Sequence, residues 1–237
     1  MNLLTIGNPK TLKGQGLNYA TAILHLAPHT LSGVMNACPY ATAGCAAACL
    51  NTAGRGGIFK KGETTNAIQK ARIARTEFLA ADRAGFLAQL DREIAAHVRR
   101  AERHGMVPAV RLNGTSDISW ERVAPELFAK WRGLQLYDYT KGAHRLGNVP
   151  ANYHLTLSRS ESNEAECLEA LANGYNVAAV FADVGYAVDG TLPATYRGYP
   201  VINADEHDLR FLDPSGVWCG LLPKGDAILD DTGFVIR

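Results

Sequence analysis

The chain has 237 residues, 47% of them hydrophobic and 20% charged. That composition excludes a disordered chain and is long enough to bury a core without disulfide staples. With 24 Lys and Arg against 23 Asp and Glu, the net charge is +1, so no strong field draws the chain to nucleic acid or an anionic membrane. No run of eighteen apolar residues occurs, and the opening MNLLTIGNPKTLKGQG is too short in apolar residues for a signal peptide. The expectation is a cytoplasmic protein with no membrane partner, folded as a single domain over 1–237. Five cysteines, an odd number, argue against a disulfide framework and for metal ligands or catalytic groups.

TAILHLA (21–27) reads as the first strand. A cysteine-rich loop follows at 36–56, and the glycine-rich stretch 51–62 reads as loop. Residues 64–104 carry helical periodicity, broken near Ala84 and Gly85. Phe86, Leu87, Leu90, Ile94 and Val98 form an apolar stripe at spacings of three and four. VPAVRLN (107–113) is a strand, and 119–131 is a helix bent at Pro125. LQLYDY (134–139) and NYHLTLS (152–158) are strands. A helix spans 160–174, capped by Ser160 or Ser162 and stopped by Gly174. The nearly all-apolar 176–184 is a strand buried on both faces. The insertion 186–198 reads as loop, followed by strands at 200–204 and 216–222. The alternation argues for an α/β fold with a mostly parallel sheet, forming a partial (β/α) barrel.

Polar side chains gather after the strands. They include Asn113, Thr115, Ser116 and Asp117; Asp138 and Lys141; Ser158, Arg159 and Ser160; Asp183; Asp205 and His207; Cys219 and Lys224. In parallel α/β folds the C-terminal ends of the strands host the active site.

Cys38, Cys45 and Cys49 stand in C-x6-C-x3-C spacing, separated mainly by alanine and glycine. Small residues let the backbone wrap a compact inorganic object and turn its amides toward sulfur. Three thiolates leave a fourth ligand to come from elsewhere. Cys219, beside Gly220 on the last expected strand, is favoured over Cys167, which lies among Leu168, Ala170 and Leu171 in a helix. Zinc knuckles use paired C-x2–4-C spacing and a redox disulfide uses C-x-x-C. The spacing fits a cubane 4Fe–4S cluster best, at the C-terminal strand edge, with a zinc-stabilised binding protein as the second reading. His25 and His29 precede the box and read as hydrogen-bonding structural residues.

The layout of strand, three-cysteine loop, helix and partial barrel is similar to that of radical S-adenosylmethionine enzymes. NGTSD (113–117) falls where those enzymes carry a glycine-rich motif, although their usual box is C-x3-C-x2-C. NACPYATAGCAAACLNTAGRG (36–56) more closely resembles the box of a family of phage-encoded proteins, classed as auxiliary metabolic gene products. Those proteins carry three N-terminal cysteines, a distant C-terminal cysteine and a 4Fe–4S cluster. The resemblance implies Cys38, Cys45, Cys49 and Cys219 as cluster ligands, and an associated carboxylesterase-type ester hydrolase activity on a small-molecule substrate. A divergent radical or other redox enzyme is the alternative.

Hydrolysis needs a nucleophile, a base and an oxyanion hole. No G-x-S-x-G elbow is present. Ser116, in Gly114-Thr115-Ser116-Asp117, is the candidate nucleophile, set against its plainer reading as a helix cap. Ser158 and Ser160 are second candidates. His207 is the candidate base, oriented by Asp205 or Asp183, with His144 and His154 less well placed. An iron left open by Cys219 is a further route, as a Lewis acid. Lys141 and Lys224 are placed to bind an anionic group, and Arg55, Lys60 and Lys61 to cover the cluster or hold phosphate.

Overall fold

The computed structural model describes residues 1–7, 9–182 and 192–237. Asp183 and residues 186–191 of the 186–198 insertion therefore lie outside the described residues.

Strand β1 (Leu4–Thr5) pairs antiparallel with β2 (Tyr19–Leu24), and helix α1 (Pro9–Gln15) joins them. The cysteine loop follows and contains the short helix α2 (Ala43–Ala47). Helices α3 (Ala67–Ala81) and α4 (Arg83–Arg103) lead to β3 (Val107–Arg111). The break between them falls at Asp82, two residues before Ala84. The Asp82 carboxylate accepts from Gly85 N–H at 2.8 Å and so starts a new helix. On α4, Phe86, Leu90, Ile94, His97 and Ala101 are buried, the three-and-four spacing expected of a core-facing stripe.

Helices α5 (Trp120–Val123) and α6 (Pro125–Lys130) divide the expected 119–131 helix at Ala124. Pro125 lacks an N–H and pushes the residue before it out of the helical region; Ala124 sits at φ −145° and ψ 61°. Next come β4 (Gln135–Thr140), β5 (Tyr153–Ser158), α7 (Glu164–Ala172) and β6 (Val177–Phe181). Neither Ser160 nor Ser162 caps α7. Asn163 holds the N-cap position, and its side chain instead accepts from Ser160 N–H at 2.7 Å. The chain ends with β7 (Thr195–Tyr196), β8 (Tyr199–Asn203), β9 (Trp218–Leu221) and β10 (Val235–Ile236).

The strand order is β1-β2-β3-β4-β5-β6-β9-β8-β7, with β10 also paired to β6. From β2 to β8 every neighbouring pair is parallel; β1 and β7 pair antiparallel at the two ends. The sheet is open and does not close into a barrel. Its inner strand β6 is buried on both faces, which is why it reads as an apolar run, whereas β1, β7 and β8, toward the two ends, are only part-buried or exposed. On one face α3 to α6 pack over Leu24, Val110, Leu112, Leu136 and Leu155. Helix α7 continues that layer with Cys167 and Leu171 against Val177, Phe181 and Trp218. The opposite face is covered by the chain's own crossover from β8 to β9. There Leu209 packs on Ala109 and Tyr137, and Phe211 meets Tyr19 and Tyr137 edge-on, each at 5.3 Å. Among the described residues no helix is long and apolar enough to cross a membrane.

The buried ring of His97 ties α4 to the sheet, with Nε2 3.0 Å from Ala20 O. Burial lowers its pKa below the ordinary 6.5 despite backbone hydrogen bonds that favour the charged ring. The native ring thus stays neutral where the unfolded ring takes up a proton. Its contribution is complete above about pH 6.5 and is lost as pH falls through the lower native pKa. Wild type should therefore lose stability relative to His97→Gln as pH falls from about 7.5 to about 5.5, read from urea midpoints. A gap that does not change with pH refutes the assignment.

Candidate functional site

The cysteine loop lies against the C-terminal ends of β3, β4 and β5. Cys38 precedes α2. Its N–H donates to Asn36 Oδ1 at 2.9 Å, its Sγ lies 3.8 Å from Thr115 O after β3, and its sulfur accepts from His29 N–H at 3.2 Å. His29 has a positive φ of 48°, a turned backbone that aims this amide at the sulfur. Cys45 lies in α2, whose N-cap Thr42 accepts from Cys45 N–H through Oγ1. Cys49 sits at the N-cap of a 3-10 turn, Leu50–Thr52.

The thiols of Cys38 and Cys49 are held in their protonated form. Burial pushes the Cys38 thiol up to about 12, opposed by the His29 N–H and reinforced by Cys49, Asp117 and Cys45. Burial likewise raises Cys49, opposed by the amide of Asn51 and by the nearby charges of Arg72 and Lys141. Without a metal these two thiols are neutral at physiological pH. A bound metal deprotonates its thiol ligands and so releases their protons.

Several contacts hold the loop in place. Glu161, after β5, accepts from Gly44 N–H through Oε1 and from Thr42 Oγ1 through Oε2, each at 2.8 Å. A Cβ at Gly44 would stand 2.4 Å from Thr232 Oγ1 and 2.7 Å from Glu161 Oε2, so only glycine fits. Arg72 Nη1 on α3 donates to Asn51 O at 3.1 Å and Asn51 Oδ1 at 2.6 Å. Asn66 caps α3 through Oδ1 and donates through Nδ2 to Gly56 O at 2.8 Å. The glycine-rich stretch is thus folded into 3-10 turns at Leu50–Thr52 and Gly54–Gly57, not left as open loop.

NGTSD forms a compact turn around Asn113. Asn113 Oδ1 accepts from Ser116 Oγ, Ile118 N–H and Trp120 Nε1 at 2.8 to 3.1 Å. Asn113 N–H and Nδ2 donate to the fully buried carboxylate of Asp138. Burial pushes the Asp138 carboxyl up to about 7 against the pull of Arg111. Gly114 is required here as well, because a Cβ would stand 2.7 Å from His25 Cδ2 and from Ile23 Cγ2. Asp117 joins a buried ion network. Arg145 Nη1 donates to its Oδ1 at 2.9 Å, while Arg145 Nε and Nη2 grip Glu121 at 2.9 and 2.8 Å. The second Asp117 oxygen accepts from Lys141 N–H at 2.8 Å, which fixes the loop after β4. The sequence reading missed Glu161, Arg145 and Asn113 as organisers of this edge. Their only signal was a position just after strands.

The candidate hydrolytic residues stand apart in their contacts. Ser116 donates to Asn113. His207 Nε2 lies 4.0 Å from Asp213 Oδ1, and its Nδ1 accepts from Leu209 N–H at 3.3 Å. Asp205, expected to orient His207, instead accepts from Leu222 N–H and pairs with Lys224. The carboxylate facing His207 is Asp213, because the crossover turns back over the sheet after His207. Burial and then Arg210 lower the His207 pKa.

Cys219 is fully buried in β9, opposite Ala178 of β6 and Ile202 of β8. Its Sγ lies 3.5 Å from Asp213 Oδ2, and burial pushes the thiol up to about 12. Cys219 and Ala178 occupy the sheet face opposite Trp218 and Val177. Val180, two residues on from Ala178 and so on the same face, belongs to an apolar cluster with Ala48 of the cysteine loop, Ala227 and Val235. Cys219 is therefore on the face the loop packs against, about one pleat, or 7 Å, below that cluster. Cys167 is enclosed on the other face, in the α7 core. As positioned, no three or more His, Cys, Asp and Glu side chains among the described residues form a ready metal site. The family model described as Gene product 88 matches residues 2–237. No curated protein and no solved structure matches.

Proposed function

The chain belongs to the Gene product 88 family, a phage-type family, and from that membership together with the thiol geometry we propose that it is a phage-encoded 4Fe–4S protein of the host cytoplasm. Cys38, Cys45 and Cys49 hold the cluster and Cys219 supplies the fourth thiolate. The observation that carries this reading is the gathering of three part-buried thiols at one strand edge, with the His29 amide on one sulfur and the Arg72 cation in reach of another. Amides and cations around sulfur are the environment that stabilises an anionic cluster. The sheet face shared with Cys219 supports the fourth ligand over Cys167. Ligation requires the loop to draw its thiols together and Cys219 to leave Asp213.

Bound there, the cluster supplies electron transfer or, at an open iron, a Lewis acid. The chain's own residues bury the thiols, direct an amide at Cys38 and hold the loop through Glu161 and Arg72. Iron and sulfide content with an ultraviolet–visible spectrum, on anaerobically purified wild type, tests the reading. A brown protein with about four irons, lost in Cys38→Ala and lost or opened in Cys219→Ala, is the expected result. Colourless protein with one zinc refutes the cluster and favours the zinc-stabilised reading. A cluster unchanged by Cys219→Ala but perturbed by S-adenosylmethionine favours the radical reading.

An ester hydrolase activity at the same edge is supported by one contact. Ser116 follows Thr115, whose carbonyl faces Cys38 Sγ. Ser116 is the candidate nucleophile and His207 the candidate base; Asp213, not Asp205, faces His207, and turnover requires Ser116 to leave Asn113 and meet the His207 ring. Turnover of short acyl esters should fall in Ser116→Ala and in His207→Ala; activity unchanged in both removes these roles.

A further inference from the structure

Beside the cysteine loop, the ends of β4, β5 and β10 bring together polar groups that neither the cluster nor the hydrolytic residues use. Lys141 follows β4. Its Nζ stands over the Phe234 ring at 5.2 Å, and among the described residues it has no ion-pair partner. Arg159 follows β5. Its Nη1 donates to Gly233 O and Phe234 O at 2.8 and 3.0 Å, drawing the Phe234 segment toward β5. The Arg159 side chain is one-tenth exposed; its Nη2 pairs with Glu164 Oε2 at 3.6 Å, and among the described residues its Nε has no partner. Ser160 is 1% exposed and, among the described residues, its Oγ also has no partner.

These groups share one region. Lys141 and Arg159 meet at Phe234, whose ring faces the one and whose carbonyl accepts from the other, and Ser160 follows Arg159; close by, Cys167 Sγ donates to Asn163 Oδ1 at 3.5 Å. The same Asn163 oxygen accepts from Ser160 N–H. Lys141 also acts on Glu161, the residue after Ser160. The carboxylates nearby are already engaged: Asp117 by Arg145, Glu161 by the cysteine loop, and Glu164 by Arg197 at 2.8 Å and by Arg159 at 3.6 Å. Buried donors left unpaired are costly, so two of them beside an ammonium that makes no ion pair among the described residues mark a place for an acceptor.

We propose that Lys141, Arg159 Nε and Ser160 Oγ form a binding site for an oxyanion, the carboxylate or phosphate head of a small molecule lying at the rim of the cysteine loop. Lys141 supplies the charge, Arg159 and Ser160 the directed hydrogen bonds, and Phe234 an apolar wall. The site goes beyond the cluster and ester readings and does not depend on either.

Isothermal titration with inorganic phosphate and with acetate, at constant ionic strength set by chloride, tests it. One saturable site is expected, and the tighter of the two anions identifies the preferred head group. Lys141→Met should weaken binding at least about tenfold, Lys141→Arg only a few-fold, and Ser160→Ala about fivefold. Iron and sulfide are measured on the same samples, and Lys141→Met should keep the wild-type content. Phosphate or acetate binding that persists in protein lacking a cluster supports the site while the cluster reading fails. No saturable binding of either anion overturns the proposal, as does equal affinity in Lys141→Met. Loss of iron in step with loss of anion binding also overturns it, because Lys141 then serves the cluster.

Discussion

Arg145→Met should destabilise the protein by about 3–5 kcal/mol. The Arg145 side chain is fully buried and contacts Asp117, Glu121 and Thr140, with Asp117 and Glu121 side chains only 12% and 6% exposed. Methionine fills much of the same volume but leaves two carboxylates without a cation. Burial already raises the Asp117 carboxyl, chiefly by desolvation, and Arg145 and the amide of Lys141 hold it down. Removing one partner from a buried pair is the expensive operation, whereas removing all partners is not. A double variant with Glu121→Gln should therefore recover part of the loss, and a cycle of urea midpoints measures the coupling. A loss under about 1 kcal/mol means that Arg145 is not the keystone of this edge. Because Asp117 fixes Lys141 N–H, phosphate or acetate binding should weaken in Arg145→Met protein that still folds.

Glu161→Ala is expected to separate assembly of the cysteine loop from stability of the sheet. Glu161 is half-buried and touches the loop at Thr42 and Gly44, on either side of the turn into α2. Losing both bonds should cost about 2 kcal/mol, modest for a chain of this size. Iron and sulfide per chain should fall severalfold, because Cys45 loses the support of its helix. Glu161→Gln keeps one acceptor oxygen and should retain roughly half the metal. Full iron content in Glu161→Ala refutes the docking role. Equal collapse of fold and metal in both variants places Glu161 in the core of stability.

Most of the sheet was legible in the sequence. The stretches VPAVR, QLYDYT and YHLTLS are strands within a residue or two of their expected bounds, and VAAVF shows the apolar continuity that two-sided burial demands. The helices were legible in extent but not in their joints. Asp82 and Pro125 decide where they break, and both act through one local hydrogen bond or its absence. Helix α1 and strand β1 were missed, being too short to show a period. At the site, the clustered cysteines announced themselves by spacing alone. Glu161 and Arg145 did not, because a charged residue after a strand looks the same whether it faces water or grips a loop across more than twenty residues of sequence. Asp205 misled for the same reason, being two positions from His207 yet turned toward Lys224.

One edge of β6 is shared. Strand β5 pairs with its first residues, at Val177 and Ala178, and β10 with its last, at Val180 and Phe181, while β9 takes the other edge. The two partners diverge at this point like the tines of a fork, and Arg159 bridges the gap. Beyond β6 the strand order also reverses, running β9-β8-β7. In open α/β sheets a crevice opens outside the carboxyl ends of strands at such a topological switch point. The position of the crevice is thus a property of the winding of the chain, set before any side chain is chosen. Substitutions at the fork can change what is held there, but only a change of strand order can move it.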